Sequence, residues 1–301
     1  MSNNKKNSSA ILIDSTALVL KYWFALPPIK TSNYESISAF MGFMNLVINF
    51  LLNNEPDKIC FAFDESLGTC FRNKIYTSYK NNRESAPDEL KVQFQLSRKF
   101  LTLMGLKNFA SVKYEADDII YTIAENNRVM GISNTIISND KDLYQIVRND
   151  DVWSNMSDKK YTYSQLKDIL TFSPDKMPDY IGLAGDRVDN IPGAPGIGHK
   201  TATSLINRFN SLDDLYEYIE TYVADKILTL RVKNILLENK KLIYLSKKLA
   251  TLRYINSFDK SDKVISRANP NVGKIKKFLK NIGISNSRII SIENSLKKMK
   301  L

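Results

Sequence analysis

Three short apolar runs in this chain each end next to an aspartate. They are residues 11–13 before Asp14, residues 59–63 before Asp64, and residues 135–138 shortly before Asp140. Runs this short and this apolar predict strands buried on both faces of a parallel sheet. The sequence therefore predicts three strands that deliver carboxylates to their ends.

Helical patterns fill the spaces between these runs, at about residues 36–53, 88–104 and 116–128. Strands that alternate with long helical crossovers predict an α/β fold, with a mainly parallel central sheet flanked by helices. Ligands of such sheets bind beyond the carboxyl ends of the strands. One aspartate after a strand is commonly a turn residue or a helix cap, but three out of three favour a shared site.

Two further acidic clusters lie outside the strands. Glu115, Asp117 and Asp118 open the third predicted helix, where acids also suit the helix dipole, which accounts for one or two of the three. Glu115 and Asp118 are three residues apart and are expected on one helix face. The second cluster holds Asp186 and Asp189, which are also three residues apart, and Asp142 lies two residues after Asp140.

Nine carboxylates at one site would repel one another and raise their own pKa values unless cations neutralised them. The chain has a single histidine, His199, and two cysteines, Cys60 and Cys70, so an all-oxygen site for Mg²⁺ or Mn²⁺ is expected. Two such metals about 4 Å apart are suited to phosphodiester hydrolysis. A Ser/His/Asp triad, a zinc site and a disulfide framework are poorly supported.

A glycine-rich segment precedes a helical pattern at residues 202–209, and its residues are Pro195, Gly196, Ile197, Gly198, His199 and Lys200. Glycines let backbone N–H groups approach a phosphate, and the following helix adds its dipole. Pro-Gly-Ile-Gly before a helix is typical of the helix–hairpin–helix class, which grips duplex backbone without reading bases. The alternative is a plain loop between two helices, in which His199 is simply solvated.

Residues 71–84 interleave basic and aromatic side chains directly after the Asp64 strand. This composition is typical of surfaces that stack bases and neutralise phosphates. Lys80 and Arg83 are three residues apart and are expected to share a helix face. A solvated amphipathic surface is the alternative.

The charge of the chain is unevenly distributed. Its 301 residues have a net charge of +11, yet residues 226–301 sum to +15 and the first 225 residues to −4. The acidic part is expected to hold metals and the basic part to hold phosphate backbone, so binding should weaken with salt. The chain has no membrane-length apolar run and no apolar leader, so we expect an intracellular protein. We further expect a monomer in the cytoplasm, associated with the nucleoid.

Taken in order, these motifs resemble the flap endonuclease family, which includes the 5′→3′ exonuclease domain of bacterial DNA polymerase I and its free-standing relatives. The resemblance covers about residues 10–255. It implies metal-dependent hydrolysis of branched or nicked duplex DNA near a 5′ single-stranded flap, in replication and repair beside a DNA polymerase. Rival hypotheses are a non-catalytic DNA-junction binding protein and a PIN-type ribonuclease.

The resemblance also implies roles for individual residues. The first of two Mg²⁺ ions would be held by the strand-end group Asp14, Asp64, Glu115, Asp117 and Asp140, with Asp118 in the same cluster. The second group would be Asp142, Asp186 and Asp189. Lys80 and Arg83 would polarise the scissile phosphate from the base of a helical arch at about residues 75–94.

Further residues are implied to contact DNA. Tyr79 would stack on a terminal base, and Arg72 and Lys21 would contact DNA, although many relatives have arginine in place of Lys21, whose ammonium lacks the planar fork. Residues 195–200 would form a helix–three-turn–helix, with a K⁺ ion on the carbonyls of Pro195 and Ile197.

Four regions are predicted along the chain. Residues 1–9 would be a disordered N-terminus, residues 10–180 the nuclease core, and residues 181–256 the DNA-gripping helical region. Residues 257–301 would be a basic helical segment. Its lysines fit duplex contact or a solvated surface, and they are Lys274, Lys276, Lys277 and Lys280.

Overall fold

The computed structural model describes residues 9–34, 36–66, 68–221, 225–261 and 264–299. Its centre is one six-stranded sheet in the order β3-β2-β1-β4-β5-β6, in which only the β5–β6 pair is antiparallel. The strands are β1 Ser9–Asp14, β2 Lys58–Asp64, β3 Lys107–Ser111, β4 Ser133–Ile137, β5 Val152–Ser154 and β6 Lys160–Thr162. The predicted mainly parallel sheet and its three buried strands are confirmed.

Helices cover both faces of the sheet and continue beyond it. They are α1 Ser15–Ala25, α2 Ser38–Asn54, α3 Phe71–Ile75, α4 Asp88–Leu103, α5 Ala116–Val129, α6 Tyr163–Leu170, α7 Met177–Ala184, α8 His199–Arg208, α9 Leu212–Glu220, α10 Leu230–Glu238, α11 Lys240–Ala250, α12 Val272–Asn281 and α13 Asn286–Lys298. The three helices predicted between the strands are confirmed as α2, α4 and α5. Among the described residues, no helix is long and apolar enough to span a membrane.

The alternating side chains of the strands face two separate cores. Leu12, Cys60 and Ile136 point into one core, which α5 and the helices α7 to α11 complete. Ile13 and Phe61 point into the other, which α1, α2, α4, α12 and α13 complete. The last two helices of the chain are therefore part of the second core, in which the ring centroids of Phe278 and Phe40 lie 5.9 Å apart.

The parallel register brings the predicted acidic residues to one edge. Asp14 lies opposite Ala62, two residues before Asp64, and Ile13 lies opposite Ile137 of β4. The chain leaves β4 at this same edge through Ser138, Asn139 and Asp140. The carboxyl ends of β1, β2 and β4 thus form one shared rim.

The structure corrects the predicted helical arch at residues 75–94. Residues 76–87 form turns and extended chain, and helix resumes only at Asp88, the first residue of α4. Lys80 has a φ of +54°, in the left-handed region, and Pro87 disfavours helical backbone at the residue before it. Lys80 and Arg83 therefore do not share a helix face.

Two predicted boundaries also change. Ser9 belongs to β1 and pairs with Ser133, so the part of the predicted disordered N-terminus that is described is strand, while residues 1–8 lie outside the described residues. Helix α8 begins at His199 rather than near residue 202, because Gly198 is its N-cap.

Candidate active site

The strand-end carboxylates are anchored by hydrogen bonds at the rim of the sheet. Asp14 is only 6% exposed, and its Oδ2 accepts from Ser138 Oγ at 2.9 Å. Asp64 is exposed, and its Oδ1 accepts from the backbone N–H of Ala116 at the start of α5, at 2.8 Å. This last bond fixes the end of β2 against the start of α5.

The electrostatics indicate that these groups face one another. Burial, together with the charges of Asp64 and Asp140, raises the pKa of Asp14 to about 7. Burial and the charges of Asp140, Asp14 and Asp64 likewise raise the pKa of Asp117 well above its ordinary value. Each carboxylate is thus desolvated and repelled by its neighbours.

The second group of carboxylates lies next to the first. Burial and the charges of Asp140, Asp189 and Asp186 raise the pKa of Asp142 well above its ordinary value. Asp140 joins the two groups because its Oδ1 accepts from the backbone N–H of Asp142 at 2.9 Å.

The loop between α7 and α8 presents Asp186 and Asp189. Asp186 and Ile191 exchange two backbone hydrogen bonds, of 2.8 and 2.7 Å, which close the loop. Gly185 and Gly193 cross at its base, both with positive φ, and a Cβ on Gly193 would lie 2.2 Å from the Gly185 nitrogen. Only glycine fits this crossing, so the sequence Gly185-Asp186 is fixed by packing as well as by charge.

The basic pair lies among these carboxylates. Lys80 Nζ is 2.5 Å from Glu115 Oε1 and 3.2 Å from Asp189 Oδ2, and Arg83 forms an ion pair with Asp189. Burial opposes the charge on Lys80, but Glu115 and Asp189 raise the pKa of its ammonium well above the ordinary value. Lys80 is therefore a permanent cation inside the acidic site.

Asp118 does not join this group. It is fully buried, and its two oxygens accept from Arg72 at 2.7 and 2.9 Å and from the backbone N–H groups of Glu115 and Arg253. With both oxygens occupied, Asp118 has no lone pairs directed at the rim. In this structure Asp118 caps α5 and pairs with Arg72, and its predicted place in the metal group stays a prediction.

Arg72 is enclosed in the protein, whereas the predicted DNA contact requires an exposed guanidinium. Its side chain is 1% exposed and forms ion pairs with Glu115 and Asp118 at 2.8 and 2.7 Å. The remaining N–H groups donate to the carbonyls of Leu249 and Thr251, at 2.8 and 3.2 Å. The guanidinium therefore connects α3, α5 and the end of α11.

Tyr79 is enclosed as well, whereas the predicted stacking on a base requires an exposed ring. Tyr79 is 4% exposed, and its hydroxyl lies 2.9 Å from Glu115 Oε2 and 3.2 Å from Asp189 Oδ2. Burial raises the pKa of this hydroxyl, so it remains protonated and donates to the carboxylates. Tyr79 orients Glu115 and Asp189 from within the core.

The oxygen donors of the acidic site suit divalent metal ions, but the described side chains are not positioned around an ion in this structure. Within the described ranges, no three Asp, Glu, His or Cys side chains are placed to hold a metal ion. The carboxylates nevertheless offer only oxygen donors, which suit Mg²⁺ or Mn²⁺. Burial and neighbouring carboxylates raise the pKa values of Asp14, Asp117 and Asp142, so a bound cation would be stabilising there.

The predicted DNA-contact residues outside the acidic site lie on the surface. Lys21 is exposed on α1, and residues 195–200 form the turn into α8 with every residue exposed except Ile197. Ile197 packs into the core, so only the backbone of this turn and the side chains of its exposed residues can contact a ligand. His199 Nδ1 lies 2.7 Å from the hydroxyl of Tyr180. The K⁺ site at Pro195 and Ile197 stays a prediction.

Several contributing residues were missed in the sequence. Ser138 holds Asp14, and Asn82 and Asn190 hold the turn that bears Lys80. Ser138 is the last residue of the run before Asp140, and the asparagines adjoin Arg83 and Asp189. The signal for these residues in the sequence was thus that each lies within two residues of a predicted site residue.

Comparison with known proteins decides the family. A model described as "5'-3' exonuclease, N-terminal resolvase-like domain" matches residues 9–171, and "5'-3' exonuclease, C-terminal SAM fold" matches residues 172–281. This chain belongs to the 5′-3′ exonuclease family. The family boundary falls before α7, so the Asp186–Asp189 loop belongs to the C-terminal part.

Curated members of the 5′-3′ exonuclease family cover much of the chain. A 5′-3′ exonuclease of Buchnera aphidicola subsp. Baizongia pistaciae is 34% identical over 278 residues, which are 91% of each chain. One from Aquifex aeolicus is 35% identical over 70% of this chain and 73% of its own. DNA polymerase I of Bacillus subtilis is 32% identical over 80% of this chain, but the match spans only 27% of the polymerase.

Solved structures share the fold. T5 5′-exonuclease with bound zinc superimposes with a TM-score of 0.63 at 15% identity, covering 97% of this chain and 99% of that one. The catalytic core of Rad2 with DNA substrate superimposes with a TM-score of 0.65 at 14% identity, covering 96% and 92%. The family models end at residue 281, before α13, whereas the two structural superpositions cover 97% and 96% of this chain.

Replacing Arg72 by methionine should destabilise the fold rather than only weaken DNA binding. The change leaves Asp118 buried without its cation and leaves Glu115 with Lys80 alone, and removing one partner of a buried pair costs about 3–5 kcal/mol. Urea denaturation measures the free energy of unfolding. Lys74→Met, an exposed change on the same helix, should cost less than about 0.5 kcal/mol; equal losses in the two variants would contradict this role.

The free energy of unfolding should fall as the pH rises from about 4 to about 7 when divalent metal is removed. Folded Asp14 holds its proton up to about pH 7, whereas an unfolded aspartate loses it near 3.8, so the raised pKa favours the folded state only at low pH. Thermal melts in EDTA should show a smaller fall for Asp14→Asn. Mg²⁺ should raise the Tm more at pH 8 than at pH 5, and an equal effect at both would contradict proton–metal competition.

Proposed function

We propose that this chain is a structure-specific 5′-nuclease that hydrolyses DNA phosphodiesters near 5′ ends, flaps or nicks, in replication and repair. The observation that carries the proposal is the convergence of carboxylates on Lys80 and Arg83 at one sheet edge. The carboxylates come from five segments: the ends of β1 and β2, the start of α5, the turn after β4, and the loop before α8. A junction-binding protein would have no use for this concentration of buried charge.

The proposed metal ligands are the rim carboxylates. Two Mg²⁺ or Mn²⁺ ions held there would activate water and stabilise the charged transition state. We assign them to Asp14, Asp64, Glu115, Asp117, Asp140, Asp142, Asp186 and Asp189, without Asp118. Their mutual repulsion supports this assignment, because bound cations would relieve it.

Lys80 and Arg83 bind the scissile phosphate in this proposal. Both cations now pair with Glu115 and Asp189. A phosphate diester entering the site would take over these ion pairs, while metal ions would take over the carboxylates. Tyr79 keeps Glu115 and Asp189 oriented during the exchange, because its hydroxyl contacts both of them.

Duplex DNA would be held away from the chemistry by residues 195–200. The N-terminus of α8 is exposed at His199, and helix N-termini bind phosphate through free N–H groups. The basic exposed faces of α12 and α13 offer a second contact, through Lys274, Lys276, Lys277, Lys280, Arg288, Lys297 and Lys298. Relatives named DNA polymerase I match 80% of this chain within a longer chain of their own, which supports action beside a polymerase.

A labelled 5′-flap duplex tests the function directly. Cleavage is expected with Mg²⁺ and none with EDTA, and Asp142→Asn should reduce the rate at least about 100-fold because a ligand charge is removed. Duplex affinity of that variant should stay within a few-fold in a filter-binding assay. Asp214→Asn, an exposed change on α9, is the control.

Each competing function predicts a different result in the same assay. Binding without cleavage in Mg²⁺ or Mn²⁺ would support the junction-binding protein instead. Preferential cleavage of single-stranded RNA would support a PIN-type ribonuclease. Undiminished cleavage by Asp142→Asn would overturn the two-metal assignment.

The affinity for duplex DNA should fall steeply with salt, with a slope set by the number of phosphates neutralised. Replacing Lys276, Lys277 and Lys280 of α12 by glutamine should reduce the slope of log affinity against log salt by about 0.9 for each phosphate that the variant no longer neutralises. The matched control replaces Lys159, Lys160 and Lys167, which lie at the β6 edge. An unchanged slope in the α12 variant would show that this face is merely solvated.

A further inference from the structure

The turn that bears Lys80 and Arg83 keeps a defined conformation without regular secondary structure. Residues 76–83 form neither helix nor strand, and residues 81–83 at its end are all exposed. Lys80 has a left-handed backbone, which costs about 1–2 kcal/mol for a residue with a Cβ. Contacts from outside the turn must therefore hold it.

Asn73 of α3 supplies one contact, from its Nδ2 to the carbonyl of Tyr79 at 2.9 Å, and the loop that bears Asp186 and Asp189 supplies several more. The backbone N–H of Lys80 donates to the carbonyl of Asp189 at 3.0 Å. From the turn, Asn82 Nδ2 donates to the carbonyls of Arg187 and Val188, at 3.1 and 3.3 Å. The two segments are thus joined by main-chain as well as side-chain hydrogen bonds.

Asn190 completes the junction from the loop. Its Nδ2 donates to the carbonyl of Ser78 at 2.6 Å and to Asn81 Oδ1 at 2.9 Å, so both amide hydrogens are used. Asn190 also has a positive φ of 54°, which asparagine tolerates better than most residues with a side chain. Glycine would satisfy the backbone without the donor, and aspartate would place an acceptor against the Ser78 carbonyl.

The junction sets the geometry of the whole acidic site. Lys80 spans Glu115 of the α5 start and Asp189 of the loop, and Arg83 pairs with the same Asp189. If the turn separated from the loop, both cations would lose their fixed distance to the carboxylates. Displacements of about 1 Å at such a site can cost on the order of 100-fold in rate.

We propose that Asn190 is a positioning residue, which clasps the Lys80–Arg83 turn to the Asp186–Asp189 loop so that the basic pair and the second carboxylate group act as one rigid unit. This inference rests on the proposed nuclease function. Asn82 strengthens the same clasp from the turn side, and its loss should have a smaller effect because Asn190 remains.

The first test compares Asn190→Gly with wild type on the 5′-flap duplex in Mg²⁺. The variant keeps the left-handed backbone and loses the amide, so kcat should fall about 10- to 100-fold while KM stays within about threefold. Thr171→Gly is the matched control, because Thr171 is also left-handed, with a φ of 64°, and lies outside the site. A kcat of Asn190→Gly equal to that of wild type would overturn the clasp.

A kinetic cycle separates positioning from general stability. In a Lys80→Met/Arg83→Met background, Asn190→Gly should cost less than about twofold in kcat, since both cations that it positions are absent. A similar cost in both backgrounds would show that Asn190 acts independently of these cations. Inactivity of the wild-type protein itself would instead refute the proposed function.

Hydrogen exchange gives a readout without catalysis. The amide of Lys80 should exchange faster in Asn190→Gly and, to a smaller extent, in Asn82→Ala, while β1 and β2 keep their protection. Unchanged protection at Lys80 in both variants would overturn the clasp. If Asn190→Gly does not fold, the exchange and kcat of Asn82→Ala decide the same question.

Discussion

The structure depends on how the charge of its buried carboxylates is balanced. Burial in a medium of low polarity disfavours the charged form of each, and their proximity makes the cost larger. Arg72 balances the inner pair, Glu115 and Asp118, and its other N–H groups reach the chain at the end of α11. One guanidinium therefore stabilises the start of α5 and attaches the C-terminal helices to the sheet.

The outer carboxylates are balanced differently. Lys80 and Arg83 neutralise Glu115 and Asp189, but burial and mutual repulsion still raise the pKa values of Asp14, Asp117 and Asp142. Divalent ions would stabilise the structure most at these three carboxylates, because they would offset the remaining negative charge. The Arg72–Asp118 pair thus provides stability and the outer group provides chemistry, and Glu115 contacts both cations, Arg72 and Lys80.

Much of the fold was predictable because its signals are local. The apolar runs, the helical spacing between them and the aspartates after them predicted the sheet and its acidic edge. The nature of the segment from residue 76 to 87 was not predictable, since the left-handed Lys80 and the turn around it depend on the distant loop at Asp189. The packing of α12 and α13 on the second core was likewise not predictable, since their sequence pattern does not say which core they cover.

The sequence by itself determined which carboxylates and cations the protein has and, through the parallel strands, that most would meet at one edge. Only the tertiary structure decided their separate tasks. Asp117 and Asp118 are neighbours of identical chemistry, yet the helix turns one toward the rim and the other toward Arg72. Arg72 and Tyr79 resemble DNA contacts in sequence, but packing encloses both, because a buried carboxylate requires a donor at hydrogen-bond distance.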